Sequence, residues 1–243
     1  VDMFEGLENA GVYALAMYMG TVITVPRKSL AKIIHPILTK SFKENNLQEI
    51  ARLYNQSSIN QLLLSLIIYV GILISLDDLY RILPLEFQAG KPLIMILGLA
   101  YLSDLATGSN GQIIITSQYY RFDFISSVLL MLTAVFLNYL LIPQFGILGA
   151  AIATATSVGV YNIIKTVFVW WVFKIQPFSL QTIYILLLGL LSYFLGQFLV
   201  FGLHPILEIL LRSLIVGSLY MTLAYIFKLS PEVNGIMSNV LKR

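Results

Sequence analysis

Asp104, Asn110 and Gln112 lie within residues 91–116, an otherwise apolar stretch long enough to cross a bilayer. A carboxylate and two carboxamides inside such a segment cost free energy unless they face protein or water, so the three are read as the lining of an internal polar cavity. On an ideal helix, Asp104, Thr107, Gly108, Gly111 and Gln112 fall within about 140°, giving one small polar face opposite a lipid-facing one. A second set lies in residues 10–37, where Thr21, Thr24, Lys28, Lys32 and His35 step by three or four, with Arg27 beside them. They form one polar stripe on a helix that Pro26 is expected to kink. Two readings stand for the stripe: it faces a cavity, or the hydrocarbon core ends near Pro26 and its cations anchor the inner leaflet.

The chemistry these residues offer is binding rather than bond making. The sequence holds no Ser-His-Asp arrangement, no His-Glu-x-x-His and no phosphate-cradling glycine loop, and Asp77-Asp78 reads as loop charge. His35 and His204 have no metal partners near them in sequence, and with no cysteine there are neither disulfides nor thiolate metal sites. We expect no catalytic residue, metal, cofactor or nucleic-acid partner, and a transport protein in preference to an enzyme.

The elements that must position these groups follow from composition. With 58% hydrophobic and 11% charged residues and a mean hydropathy of +0.84, the chain is far more apolar than a soluble domain, where about a quarter of residues are charged. The expected fold is all-α, a polytopic membrane protein with seven transmembrane helices near 10–37, 57–76, 91–116, 122–143, 147–173, 180–203 and 206–228. Residues 38–56 place Leu47, Ile50, Leu53 and Tyr54 at helical spacing among charges, which suits a helix lying in the membrane interface or a solvated linker helix. In the fifth run Ala151, Ala155 and Gly159 make a small-residue stripe for close helix packing. Lys165 is placed to snorkel towards the membrane surface, and Glu208 and Arg212, four apart, to pair on one helix face. The first residues, Val-Asp-Met-Phe-Glu-Gly, do not form a basic and then apolar leader, so the chain is read as the tail of a longer protein.

Four stretches carry a family resemblance: Glu-Asn-Ala-Gly-Val-Tyr-Ala-Leu-Ala at 8–16, Val-Pro-Arg-Lys-Ser-Leu at 25–30, Thr-Gly-Ser-Asn-Gly-Gln-Ile-Ile at 107–114, and Asn-Tyr-Leu-Leu-Ile-Pro-Gln-Phe-Gly-Ile-Leu-Gly-Ala-Ala-Ile-Ala-Thr at 138–154. Together they resemble the carboxyl half of a polysaccharide flippase of the multidrug, oligosaccharidyl-lipid and polysaccharide exporter superfamily. The resemblance covers the chain to about residue 179. Flippases of lipid-linked peptidoglycan precursors commonly carry a basic residue five positions before the proline at 26; here that position is Thr21, which speaks against that sister branch.

The resemblance implies that residues 1–179 are five of the six helices of a second lobe, 180–229 two additional transmembrane helices and 230–243 a cytoplasmic tail, with a missing amino-terminal lobe as partner. It further implies alternating access by an undecaprenyl-diphosphate-linked oligosaccharide at the bacterial inner membrane. In that setting Arg27, Lys28 and Lys32 are candidates for contact with the diphosphate or glycan. Thr21, Thr24, His35, Asp104, Asn110 and Gln112 are candidates for cavity lining. A cation-coupled multidrug antiporter, with Asp104 as its ion or proton site, is the alternative, and a purely structural membrane subunit comes third.

Charge placement orients the runs. Alternation puts Lys40, Lys43, Arg52, Arg121, Lys174, Lys228, Lys242 and Arg243 on one side; the other carries Arg81, with Lys91 at its border, beside Asp2, Glu5, Glu8, Asp77, Asp78 and Glu86. The positive-inside rule makes the first side cytoplasmic. Tags after Arg243 and within residues 42–48 should therefore be reached only from the cytoplasm and a tag within 84–88 only from outside; labelling of all three from one side overturns this topology.

Overall fold

The computed structural model describes residues 2–241, without the side chains of residues 2–5, 7, 8, 236, 237 and 239–241. Lys242 and Arg243 lie outside the described residues, as do the side chains of Asp2, Glu5 and Glu8. Every regular element among the described residues is helical: α1 (Asp2–Ile23), α2 (Val25–Lys43), α3 (Leu47–Ile82), a 3-10 turn (Leu85–Gly90), α4 (Lys91–Ala106), α5 (Asn110–Thr116), α6 (Tyr120–Phe173), α7 (Leu180–Phe198), α8 (Pro205–Ile226) and α9 (Pro231–Leu241). Five segments are long and apolar enough to cross a membrane: Leu47–Ile82, Leu85–Ala106, Tyr120–Phe173, Leu180–Phe198 and Pro205–Ile226.

Proline and glycine set the boundaries. Pro26, Pro92, Pro205 and Pro231 stand in the first turns of their helices, where the missing N–H has no intrahelical partner to lose. Asn46 caps α3 by accepting from the Glu49 amide at 3.0 Å. Gly146, at φ 58° and ψ −141°, breaks α6 three residues after Pro143. Only glycine holds that backbone cheaply, and the chain there folds back into a helical hairpin. Asp123 and Lys165, which a straight helix would hold about 63 Å apart, are in contact at 2.6 Å. The Phe122 and Phe168 rings stack at 3.7 Å.

α3 is the hub, packing against α2, α4, α7 and α8. Three apolar clusters fill the bundle. Leu62, Leu63 and Tyr69 of α3 pack with Ile185 of α7 and Tyr220 of α8. Val12 and Ala16 of α1 meet Leu93, Ile94 and Leu97 of α4 and Tyr80 of α3. Ile34 and Leu38 of α2 meet Ile113 and Ile114 of α5, Ile50 and Tyr54 of α3 and Val169 of α6. By contrast Leu187, Leu190, Phe194 and Phe198 on α7, and Phe124, Met131, Val135 and Phe136 on α6, are exposed. That apolar surface suits lipid.

Several expectations change. Residues 10–37 do not form one helix, since it breaks at Thr24 ahead of Pro26, and 91–116 breaks at residues 107–109. Residues 38–56 are no separate helix: 38–43 end α2, and Leu47 onwards begins α3, with Ile50, Leu53 and Tyr54 buried against α2 and α5. The buried small face of the hairpin's second arm runs through Ala150, Ala153 and Ser157; of the expected stripe Ala151 is buried, in the α1–α4 cluster, whereas Ala155 and Gly159 are only partly buried.

Asp78 is not loop charge. It is buried in α3, accepts from Arg81 at 3.1 Å and lies 3.3 Å from the buried Arg212 of α8. Arg212 also pairs with Glu208 as the spacing implied, at 3.1 Å, and donates to the Ile74 carbonyl at 2.5 Å. Glu208 in turn accepts the Phe201 and Leu203 amides at 2.8 and 3.1 Å, holding the α7–α8 loop. Asp77, one residue away, is exposed and pairs with Lys91. Asp78→Ala strips a buried guanidinium of one carboxylate and should cost on the order of 3 kcal/mol. Asp77→Ala should leave Tm essentially unchanged, and equal Tm values for the two variants in detergent would contradict this account.

Candidate functional site

The α4–α5 break opens onto a polar layer between the α1–α4 and α2–α5 clusters, and Arg27, one turn past the α1–α2 break, reaches the same layer. At the α4–α5 break Gly108 has φ +64°, and a Cβ there would sit 2.9 Å from both Ser57 Oγ and Ser58 N, so only glycine fits against α3. The freed backbone groups are met by α3 side chains. Ser58 Oγ donates to the Ala106 carbonyl at 2.6 Å, and Ser57 Oγ accepts from the Ser109 amide at 3.1 Å. Asn110 completes the turn, its Nδ2 donating to Thr107 Oγ1 at 3.1 Å and its Oδ1 accepting the Gly111 amide at 2.6 Å. At the α1–α2 break the Thr24 hydroxyl donates back to the Thr21 carbonyl, and the Thr21 hydroxyl to Tyr18, both at 2.7 Å.

Arg27, in the first turn of α2, reaches across to the end of α4. Its Nη1 pairs with Asp104 Oδ2 at 2.5 Å, and its Nη2 donates to the Asp104 carbonyl at 3.3 Å, so one guanidinium serves both the carboxylate and the negative end of a helix. On the other side Lys165 is buried. Its Nζ donates to Asp123 Oδ1 at 2.6 Å and to the Tyr161 hydroxyl at 2.8 Å. Gly111 leaves the room for it, since a Cβ there would lie 2.7 Å from that nitrogen. The expectation that Lys165 snorkels is therefore corrected: the hairpin supplies a carboxylate at its own depth, which removes the reason to reach for the surface.

Between these pairs lies a cavity of about 200 Å³ lined by Arg27, Gln61, Asp104, residues 108–112, Ile115, Tyr161 and Lys165. Gln61 Oε1, Ser109 Oγ and Gln112 Oε1 are buried without a hydrogen-bond partner among the described residues. Such atoms are costly unless paired, so this space takes water or polar ligand groups. Two cations and two carboxylates balance its charge. It can exchange hydrogen bonds with hydroxyls and amides, and an anion entering it would compete with Asp104 and Asp123 for Arg27 and Lys165.

The structure thus brings Arg27, Asp104, Asn110 and Gln112 together. Thr24 sits at the break with its hydroxyl turned to the backbone. Thr21, Lys28, Lys32 and His35 do not line the cavity; they are exposed on the outer face of α1 and α2, in line with Tyr18 and Val25. Gln61, Asp123, Tyr161 and Lys165 were missed. One signal was available: positions 123 and 165 lie symmetrically about the Pro-x-x-Gly at 143–146, as partners across a helical hairpin must.

Burial separates the lysines chemically. An amine-reactive reagent applied to the folded protein should modify Lys28 and Lys32 and spare Lys165 until the protein is unfolded, as read by peptide mass spectrometry; equal labelling of Lys165 would place it outside the core.

Compared with protein-family models, curated proteins and solved structures, the chain matches none of them significantly.

Proposed function

We propose that this chain is the carboxyl part of a flippase that carries a lipid-linked oligosaccharide, an undecaprenyl-diphosphate sugar, across the bacterial inner membrane by alternating access. The observation that carries a transport reading is the polar layer. An apolar bundle gains no stability from two helix breaks and two ion pairs in its interior, whereas a substrate with a polar head needs a wet path with fixed hydrogen-bonding groups. The glycan would use the cavity's hydroxyl and amide groups, and the prenyl tail would stay in lipid. What favours this substrate over others is the sequence resemblance at 107–114 and 138–154.

On this reading seven crossings are made by α1 with α2, by α3, by α4 with α5, by the two arms of α6, by α7 and by α8, with the C-terminus cytoplasmic. Residues 1–179 belong to an incomplete second lobe, and 180–229 are the two added helices. The exposed face carrying Thr21, Lys28, Lys32 and His35 would look towards the missing lobe. Its lysines are compact charges for an entering diphosphate, and Arg27 joins them by exchanging Asp104 for phosphate oxygens. No bond is made or broken, so no catalytic group or cofactor is called for.

In the longer protein reconstituted in liposomes, Lys28→Gln with Lys32→Gln should lower flipping of a lipid-linked sugar by about tenfold or more, while Lys→Arg at both sites should keep part of it, at equal membrane abundance. Normal flipping by the double Gln variant removes these lysines from the site. A protein that moves no lipid-linked sugar, but whose drug or ion antiport is abolished by Asp104→Asn, is the antiporter instead.

A further inference from the structure

We propose that α2 and α5 form one hinged unit, pivoting at Thr24 and Gly108 against a frame of α1, α3, α4 and α6 and latched by the Arg27–Asp104 ion pair. α5 is cut from α4 at the polar layer, and α2 is cut from α1 one turn before Arg27, which reaches that layer. At Thr24 the chain carries three-residue hydrogen bonds, from Thr24 N to the Thr21 carbonyl and from Arg27 N to the Thr24 carbonyl, while Pro26 has no N–H to give. At Gly108 the backbone is left-handed.

The cores divide at the same place. The buried cluster of α1 and α4 contains no residue of α2 or α5, and the cluster built on Ile34, Leu38, Ile113 and Ile114 contains none of α1 or α4. α2 and α5 pack on each other. A change of angle at the two pivots leaves the α1–α4 core closed, and it has to slide Ile34, Leu38, Ile113 and Ile114 over Ile50 and Tyr54 of α3 and Val169 of α6, with which they share their cluster.

The latch crosses this division. Arg27 lies one turn beyond the first pivot, on the moving half, and Asp104 one turn before the second, on the frame. Its side chains are 35% and 15% exposed, against 5% and 19% for Lys165–Asp123, which lies wholly within α6, and 7% and 4% for Arg212–Asp78. Of these three pairs it is the one that water can replace at modest cost, as a releasable contact requires. Swinging α2 and α5 away opens the polar cavity towards the end of the bundle where α2 and α5 terminate. That this opening is the inner gate of a transport path rests on the proposed flippase reading; the motion itself does not.

Hydrogen exchange by mass spectrometry on the full-length protein in lipid nanodiscs tests it. In the wild type, amides of residues 28–38 and 111–116 should exchange with a common rate, faster than those of 12–22 and 94–105. Arg27→Gln should speed the first two segments by about fivefold to tenfold and leave the other two unchanged, and R27D/D104R should restore the wild-type rates. Equal exchange in all four wild-type segments overturns the hinge whatever the variants do. So does a response to Arg27→Gln that is shared by all four, absent from all four, or confined to α2. Exchange is read on the resting protein and flipping on transported lipid, so either result can fail while the other stands.

Discussion

A backbone amide or carbonyl released by a helix break inside an apolar bundle has to be bonded by protein, because no lipid group can do it. The α4–α5 break meets this demand through Ser57 and Ser58 of α3, and much of the arrangement follows. The two serines can reach only if the break lies flat on α3, which makes residue 108 a glycine. Lying flat there turns Asn110 and Gln112 to the inside with Gln61, and ends α4 where the Asp104 carbonyl can take Arg27. One demand of hydrogen-bond satisfaction thus fixes a glycine, a serine pair and an ion pair on three helices.

The buried charges answer to the same accounting by different means. Arg212 is held by two carboxylates and a backbone carbonyl, and Glu208 by two loop amides besides. With so many partners that cluster ties α8 and the α7–α8 loop to α3, a structural staple. Lys165 has a carboxylate and a phenol, both from its own hairpin; it locks the two arms of α6 and still shows its nitrogen to the cavity. Arg27 joins separate helices and stays partly open. Staple and lock keep their cations buried, whereas the latch leaves Arg27 about a third exposed and with it the capacity to exchange partners.

Much of the fold was legible because the apolar runs are long and proline and glycine mark their ends. The errors come where polar residues were taken as punctuation. The connection ending at 56 and the charges Asp77-Asp78 bound the expected span at 57–76, yet Asp78 is polar because it faces an arginine, Ser57, Ser58 and Gln61 within the span because they face a helix break and a cavity, and α3 runs through all of them. Reading 91–116 as one helix put Asp104 and Gln112 on a common face for the wrong reason: the break, not helical periodicity, brings both to the cavity. Lys165 was misplaced because its partner lies 42 residues away, a separation that periodicity within one helix does not reach and the turn at Gly146 closes.

The α1–α2 stripe shows the same limit from the other side. Its spacing puts Thr21, Thr24, Lys28, Lys32 and His35 on one face, but which way such a face looks depends on where the neighbouring helices pack, and all but Thr24 are exposed. Ile34 and Leu38, offset from that stripe, turn inward to α3 and α5 and so force Lys28 and Lys32 outward. Arg27, one residue from Lys28 and so about 100° round the helix, is the cation that reaches the polar layer. Adjacent positions of one basic segment therefore serve two environments, a charge-balanced cavity within the bundle and an exposed cationic face. An anion on the proposed path that reached both would compete with Asp104 for Arg27, the contact that ties α2 to α4.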